Sequence, residues 1–267
     1  MRCPHQRLDR RTLLGLLGVG LAAAATGCAT GAPPAPGPGD GAGGDPTLTS
    51  PGVGGTRSRV LTRGPAGTRQ IAITVDDGYC NDCVAGYVDF AQRSGTHLSL
   101  SPNGLYAHAW EPHAPTLRPL IEAGQVQIIN HTFSHPNLTK LPTARVRDEL
   151  ERNEAWIGRT FATTTRPYYR PPFGTHNPEV DATAAGLGLD QVVQWNGSFG
   201  DATLVSPGFL LAQDRRYLQP GVILLGHANH PTVLGLFDQI TQLIAQRQLQ
   251  PVTLDEMFGT HRAPGPH

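Results

Sequence analysis

Two adjacent carboxylates, Asp76 and Asp77, follow the apolar run Ile71–Val75. Side by side at a strand end they repel one another unless a cation, a proton or an arginine intervenes. Gly78 behind them permits a tight turn or the close approach of a ligand, although Asp-Gly is also an ordinary turn pair. Further on, His131 and His135 stand four residues apart in Asn130-His131-Thr132-Phe133-Ser134-His135, after the apolar run Val126–Ile129. Over one helical turn, cut short by Pro136, such imidazoles can share a face and take one metal. Either motif alone reads as a turn or a coincidence. Jointly they offer one carboxylate and two neutral nitrogens, a set that suits Zn²⁺, and also Co²⁺, Fe²⁺ or Ni²⁺, with positions left for water and substrate. Two prolines stiffen Arg170-Pro171-Pro172-Phe173-Gly174, so Arg170 points in a definite direction, towards a carboxylate or into solvent. His227 ends the apolar run that starts at Val222, and by itself reads as a satisfied core histidine.

These residues can act together only if several strand ends meet. Strands are expected at 70–75, 97–101, 126–130, 167–170, 191–195 and 222–225, with a short one near Val252. Helical patterns fall at 84–93, 116–123, 143–161 and 232–248. The third is the most amphipathic, with Val146, Leu150, Trp156 and Ile157 on or near one face. Repeated β-then-α order implies parallel strands, helices outside, and chemistry at the carboxyl ends of the strands, where every motif above lies.

In this order the motifs resemble those of the NodB-type polysaccharide deacetylases, a carbohydrate esterase family. The resemblance rests on Thr74-Val75-Asp76-Asp77-Gly78, His131-Thr132-Phe133-Ser134-His135, Arg170-Pro171-Pro172-Phe173-Gly174 and Leu225-Gly226-His227, and covers most of residues 69–259. It implies an α/β fold, a distorted, incomplete (β/α) barrel of about seven parallel strands. It further implies Asp77, His131 and His135 as ligands of a divalent metal, Asp76 as general base, and Arg170 as the group that orients the base. His227 would be the general acid, tuned by Asp201. The Phe173 N–H would steady an oxyanion, and Leu225 would contact the acetyl methyl. The family's tuning Asp is normally followed by Trp, whereas Ala202 stands here. Trp195 or Phe199 is the candidate to replace that aromatic surface. The implied reaction is hydrolysis of N-acetyl groups on an amino-sugar polysaccharide, with a bell-shaped pH–rate profile because base and acid must carry opposite protonation states. An O-acetyl esterase, or a glycan-binding lipoprotein of the same fold without turnover, is the alternative.

Composition bounds the rest. The 267 residues carry 21 basic and 21 acidic side chains and a formal charge of +0, which argues against nucleic acid as partner. Arg2, Arg7, Arg10 and Arg11 precede an uncharged run from Thr12 to Ala25, too short for a membrane span and proportioned like an export signal. Asp9-Arg10-Arg11-Thr12-Leu13-Leu14 resembles a twin-arginine signal, and Ala25-Thr26-Gly27-Cys28 a lipobox that would acylate Cys28. Residues 1–28 are thus expected to be an export signal and 29–68 a flexible Gly/Pro-rich tether. Residues 69–260 form the catalytic domain and 261–267 a disordered tail. The expected location is the outer face of the cytoplasmic membrane, held by lipid only, or secreted if cleaved without lipidation, as a monomer. In that compartment Cys80 and Cys83 are expected to form a disulfide.

Overall fold

The computed structural model describes residues 58–260. The export signal, Cys28, the tether as far as residue 57, and residues 261–267 lie outside the described residues. No helix among the described residues is long and apolar enough to cross a membrane.

The described residues contain nine strands: β1 (Arg59–Leu61), β2 (Gln70–Asp77), β3 (Leu98–Pro102), β4 (Val126–Ile128), β5 (Tyr168–Tyr169), β6 (Gln191–Val193), β7 (Gly197–Ser198), β8 (Ile223–His227) and β9 (Gln250–Pro251). Every registered pair is parallel. One sheet runs β4-β3-β2-β8-β7 with β9 beside β2, and a second runs β1-β6-β5. A lone parallel bridge, Asn130 to Tyr169, joins the two beyond the end of β4. The chain thus forms a distorted, incomplete (β/α) barrel. From Ile71 to Val75 the side chains of β2 are all buried, on both faces, as in a parallel strand covered by helices outside and by barrel core inside.

The described residues also contain eight α-helices: α1 (Asn81–Ser94), α2 (Ala107–Trp110), α3 (Ala114–Glu122), α4 (Thr143–Phe161), α5 (Pro178–Ala185), α6 (Pro207–Tyr217), α7 (Phe237–Gln246) and α8 (Leu254–Phe258). α1 starts ahead of the expected Val84 because Cys80 caps it, its Sγ accepting the Cys83 N–H at 3.2 Å. The helix expected over 232–248 is instead a 3₁₀ segment, Pro231–Leu236, followed by α7. α6 was not foreseen, since its buried residues are only Leu210 and Asp214 and leave little apolar period to see.

One domain boundary needs correction. Residues 58–68 were assigned by composition to the tether, yet Arg59–Leu61 pairs in register with Gln191–Val193 as the outer strand of the second sheet. A three-residue strand can be held by its neighbour's backbone, so its Arg- and Gly-rich surroundings hid it.

Candidate active site and metal centre

Register brings the chemistry to one level. Asp76 pairs with His227 of β8 on one side and with Ser101 of β3 on the other. β2 then ends at Asp77 with φ +67°, and Gly78 follows at φ +102°. A Cβ at Gly78 would lie 2.2 Å from Trp110 Nε1, so glycine alone fits while that indole donates to the Asp77 carbonyl at 2.9 Å.

His131 and His135 reach the same place without the expected helical turn. Thr132 and His135 have φ of +67° and +59°, and the segment is an irregular turn. Side chains outside the motif hold it. Asn103 Nδ2 donates to the carbonyls of His131 (2.6 Å) and Thr132 (3.0 Å). Buried Glu149 accepts the Ser134 N–H and hydroxyl, each at 2.7 Å. Non-glycine residues in the left-handed region persist only where their surroundings over-determine them, and this turn meets that condition.

His131 Nδ1 lies 2.8 Å from the Arg170 carbonyl, which can only accept, so Nδ1 carries a proton, and Nε2 presents a lone pair when the ring is neutral, as a ligand must be. That Nε2 stands 3.3 Å from Asp77 Oδ1, and His135 Nε2 stands 3.4 Å from the same oxygen. Asp77 Oδ1 is buried and has no hydrogen-bond partner. The three ligand atoms lie within 4.8 Å of one another. An orphaned carboxylate oxygen facing two imidazole nitrogens fits a divalent cation. Burial opposes ionisation of Asp77, but His131, His135 and His227 outweigh it and hold the carboxyl well below the usual carboxylate range. Burial and the neighbouring His131 charge hold His135 below the usual imidazole value, so it is neutral as a ligand must be.

Asp76 is gripped on one oxygen. Arg170, fully buried, donates through Nη1 to Asp76 Oδ1 at 2.7 Å, and the Ser101 hydroxyl donates to the same atom. The other oxygen, Oδ2, faces His131 Nε2 at 3.6 Å. Burial opposes its ionisation, but Arg170, His131 and His227 outweigh it and keep the carboxyl ionised. Arg170 thus has two tasks, because its carbonyl orients His131 and its guanidinium orients Asp76.

His227 is likewise oriented. Its Nδ1 lies 2.9 Å from Asp201 Oδ1, and its backbone N–H donates to Asp201 Oδ2 at 3.1 Å. Burial disfavours the cation, but Asp201, Asp76 and Asp77 outweigh burial and raise its pKa above the usual imidazole value. A further buried acid, Asp214, lies within electrostatic reach of Asp201. Burial and the Asp201 charge push its pKa up to about 7.

Sequence reasoning missed Ser101, Asn103, Glu149 and Asn229. Asn229 binds three groups around Asp77. Its Nδ2 donates to Asp77 Oδ2 at 2.7 Å, while its Oδ1 accepts the N–H of Gly78 at 3.1 Å and of Tyr79 at 3.4 Å. The only signal was its place two residues after His227, next to the strand that pairs with β2.

Of the expected surface residues, Leu225 is 6% exposed on β8, beside Ser198 of β7. Phe173 is 66% exposed, has φ +61°, and packs its ring edge-on against His135 with centroids 4.6 Å apart. Trp195 lies over the Arg170 guanidinium at 5.9 Å and beside Gly174. Phe199 is 1% exposed and packs against Gly226, so it offers no surface to replace the missing aromatic after Asp201. Tyr168 and Tyr169 are wholly buried core residues. Cys80 and Cys83 form a disulfide beside Asp77.

Comparison with known proteins agrees with this constellation. Residues 63–192 match the family described as polysaccharide deacetylase, a span that holds Asp76, Asp77, His131, His135 and Arg170. The chain is 28% identical over 194 residues to a peptidoglycan-N-acetylglucosamine deacetylase of Listeria monocytogenes, spanning 72% of this chain and 39% of that protein. It is 26% identical over 166 residues to a chitooligosaccharide deacetylase of Bradyrhizobium, spanning 62% of this chain and 74% of that one. Its fold is that of a CE4 family pseudoenzyme from Bacillus anthracis, with TM-score 0.67 and 18% identity over 78% of this chain and 72% of the other. By its motifs, fold and relatives, the chain carries a polysaccharide deacetylase domain over residues 63–192.

Proposed function

We propose that the chain is a metal-dependent hydrolase that removes N-acetyl groups from an amino-sugar polysaccharide. A single observation carries the reading: Asp77, His131 and His135 converge, while two oriented proton-transfer groups, Asp76 with Arg170 and His227 with Asp201, sit at the same level. A divalent cation held by Asp77, His131 and His135, zinc first and cobalt, nickel or iron as alternatives, would polarise the scissile carbonyl and acidify a water.

The chain's own residues supply the rest. Asp76, ionised and fixed through Oδ1, takes the proton of the attacking water on Oδ2. The Phe173 N–H meets the oxygen that gains charge. His227, whose pKa Asp201 helps to raise, gives its proton to the departing amine, and acetate and a free amino sugar result. The bell-shaped profile expected from the sequence follows from these two protonation states. A pseudoenzyme reading finds no support in these residues, because every pair the reaction needs is present. Ala202 beside Asp201 keeps the O-acetyl ester as an alternative substrate. By its sequence the chain is exported and lipid-anchored through Cys28, where peptidoglycan, chitin-like oligomers and exopolysaccharides are all within reach.

Acetate release from those three polymers tests the reading. Release is expected from at least one, abolished by a chelator and restored by Zn²⁺ or Co²⁺. No release from any N-acetylated polymer by the metal-loaded chain would overturn it, and release from O-acetylated xylan alone would favour the esterase.

Asn229 gives a separate check on the metal. Replacing it with alanine frees Asp77 to rotate and removes the acceptor for two N–H groups. Zn²⁺ affinity is expected to fall about 10–100-fold, as for other partners that orient metal ligands, in competition with a fluorescent chelator. Unchanged affinity would show that the β2 backbone alone holds Asp77.

A further inference from the structure

The residue after Gly78 has no part in the chemistry above, yet it is held in an unusual way. Tyr79 is 44% exposed, and exposed side chains ordinarily keep their rotamer freedom. Here the ring is braced on two sides. Tyr106 meets it edge-on with centroids 5.9 Å apart, and His230 does so at 5.8 Å and 88°. The hydroxyl lies 3.1 Å from His230 Nε2. The backbone is pinned as well. The Tyr79 N–H donates to Asn229 Oδ1, the Cys80 N–H donates to the Ala228 carbonyl at 3.4 Å, and the Cys80–Cys83 disulfide closes the loop behind.

This braced ring adjoins the site, because its backbone N–H donates to the Asn229 side chain that also holds Asp77 Oδ2. Tyr79 is two residues from Asp77, and His230 three from His227. Tyr106 lies close enough to Asp77 that burial and the Asp77 charge together raise its phenol pKa. A polymer is longer than the sugar that carries the scissile acetyl group, so its neighbouring residue must lie beside the site. Pyranose rings present faces of C–H groups whose partial positive charge suits the negative face of an aromatic ring. Tyrosine supplies such area at little entropic cost, and bracing it in advance lowers that cost further.

We propose that Tyr79, braced by Tyr106 and His230, is a stacking platform for the sugar residue adjoining the one that is deacetylated. The proposal rests on the deacetylase reading above. The site therefore prefers oligomers of N-acetylated hexosamine to the monosaccharide.

Calorimetric titration of the zinc-loaded chain with the N-acetylglucosamine tetramer and with the monosaccharide tests it, with Zn²⁺ affinity measured in parallel. Tyr79→Ala is expected to weaken tetramer binding about tenfold and monosaccharide binding less than about twofold, an effect of the size seen for single aromatic contacts. Tyr79→Phe, which keeps the ring, should bind the tetramer within about twofold of wild type, and His230→Ala, which removes a brace, about threefold more weakly. Tetramer affinity unchanged in Tyr79→Ala, or lost in step with zinc affinity, overturns the platform. If the wild-type chain still releases acetate from oligomers, that result leaves the deacetylase reading intact. A wild-type chain that neither binds nor deacetylates oligomers overturns both.

Discussion

Replacing Asp76 with asparagine is expected to lower kcat for acetate release by about 10²–10⁴-fold, the usual contribution of a positioned general base. Asparagine keeps the size of the side chain and can still accept from Arg170 and Ser101, so the loss reports the missing proton acceptor. The same change should destabilise the fold by about 3 kcal/mol, because Arg170 is wholly buried and its Nη1 contact to Asp76, at 2.7 Å, is its only ion pair among those found in the described residues. Beyond that, among the described residues, the guanidinium has a 3.4 Å bond from Nε to the Val193 carbonyl and the Trp195 ring at 5.9 Å, and Nη2 has no hydrogen-bond partner. A double variant, Asp76→Asn with Arg170→Met, should therefore be more stable than the two single losses added together, since it removes the stranded charge. Urea denaturation and single-turnover kinetics read the two effects separately. A variant that retains more than a tenth of wild-type kcat would remove Asp76 from the role of base.

The second large effect concerns Asp201. His227 works as an acid only while protonated, and its pKa stands above the usual imidazole value because Asp201, Asp76 and Asp77 together outweigh burial. Asp201→Asn removes the strongest of those three and leaves only Asp76 and Asp77 to oppose burial. The alkaline limb of the kcat profile is expected to move down by about one pH unit or more, the size of shift a nearby opposite charge produces. His227→Gln should lower kcat about 10²–10⁴-fold across the profile. The stability consequence has a defined sign. A folded-state pKa raised above the unfolded value adds stability that is fully present below the unfolded pKa and fades as pH rises through the folded one. Asp201→Asn should therefore destabilise the chain more at pH 5 than at pH 9 in thermal denaturation. An alkaline limb that stays in place would mean that the limb reports another group.

Much of the site was visible in the chain because strand ends in a parallel α/β fold converge. An Asp pair, two histidines, an arginine and a terminal histidine, each after an apolar run, could be assigned to one locus before any coordinates. What escaped was the set of residues that fix directions. Ser101 looked like the tail of a strand until register placed it opposite Asp76. Glu149 sits among the residues of an amphipathic helix, and only the fold reveals that it is buried beneath the 131–135 turn. The histidine pair was expected on a helical turn; positive φ at Thr132 and His135 achieves the same convergence, and propensity cannot foresee it because tertiary hydrogen bonds sustain it. Phe199, a candidate for the groove, was taken instead by the core.

The sequence alone pointed to a metal-binding donor set, through residue types at the ends of apolar runs, and to the parallel architecture, through β-then-α repetition; both are written locally, in side-chain chemistry and period, whereas the reaction came only with the resemblance of the motifs to a known family. Only the tertiary structure decided which oxygen of Asp76 is gripped and which is free, which nitrogen of His131 is presented, that Asn229 steadies Asp77, and that Tyr79 stands braced beside the site. Those facts depend on contacts between residues as far apart as Asp77 and Asn229, separated by 152 positions and brought together by the pairing of β2 with β8. Orientation is a property of the packed whole, because it is set by partners that no local stretch of chain contains.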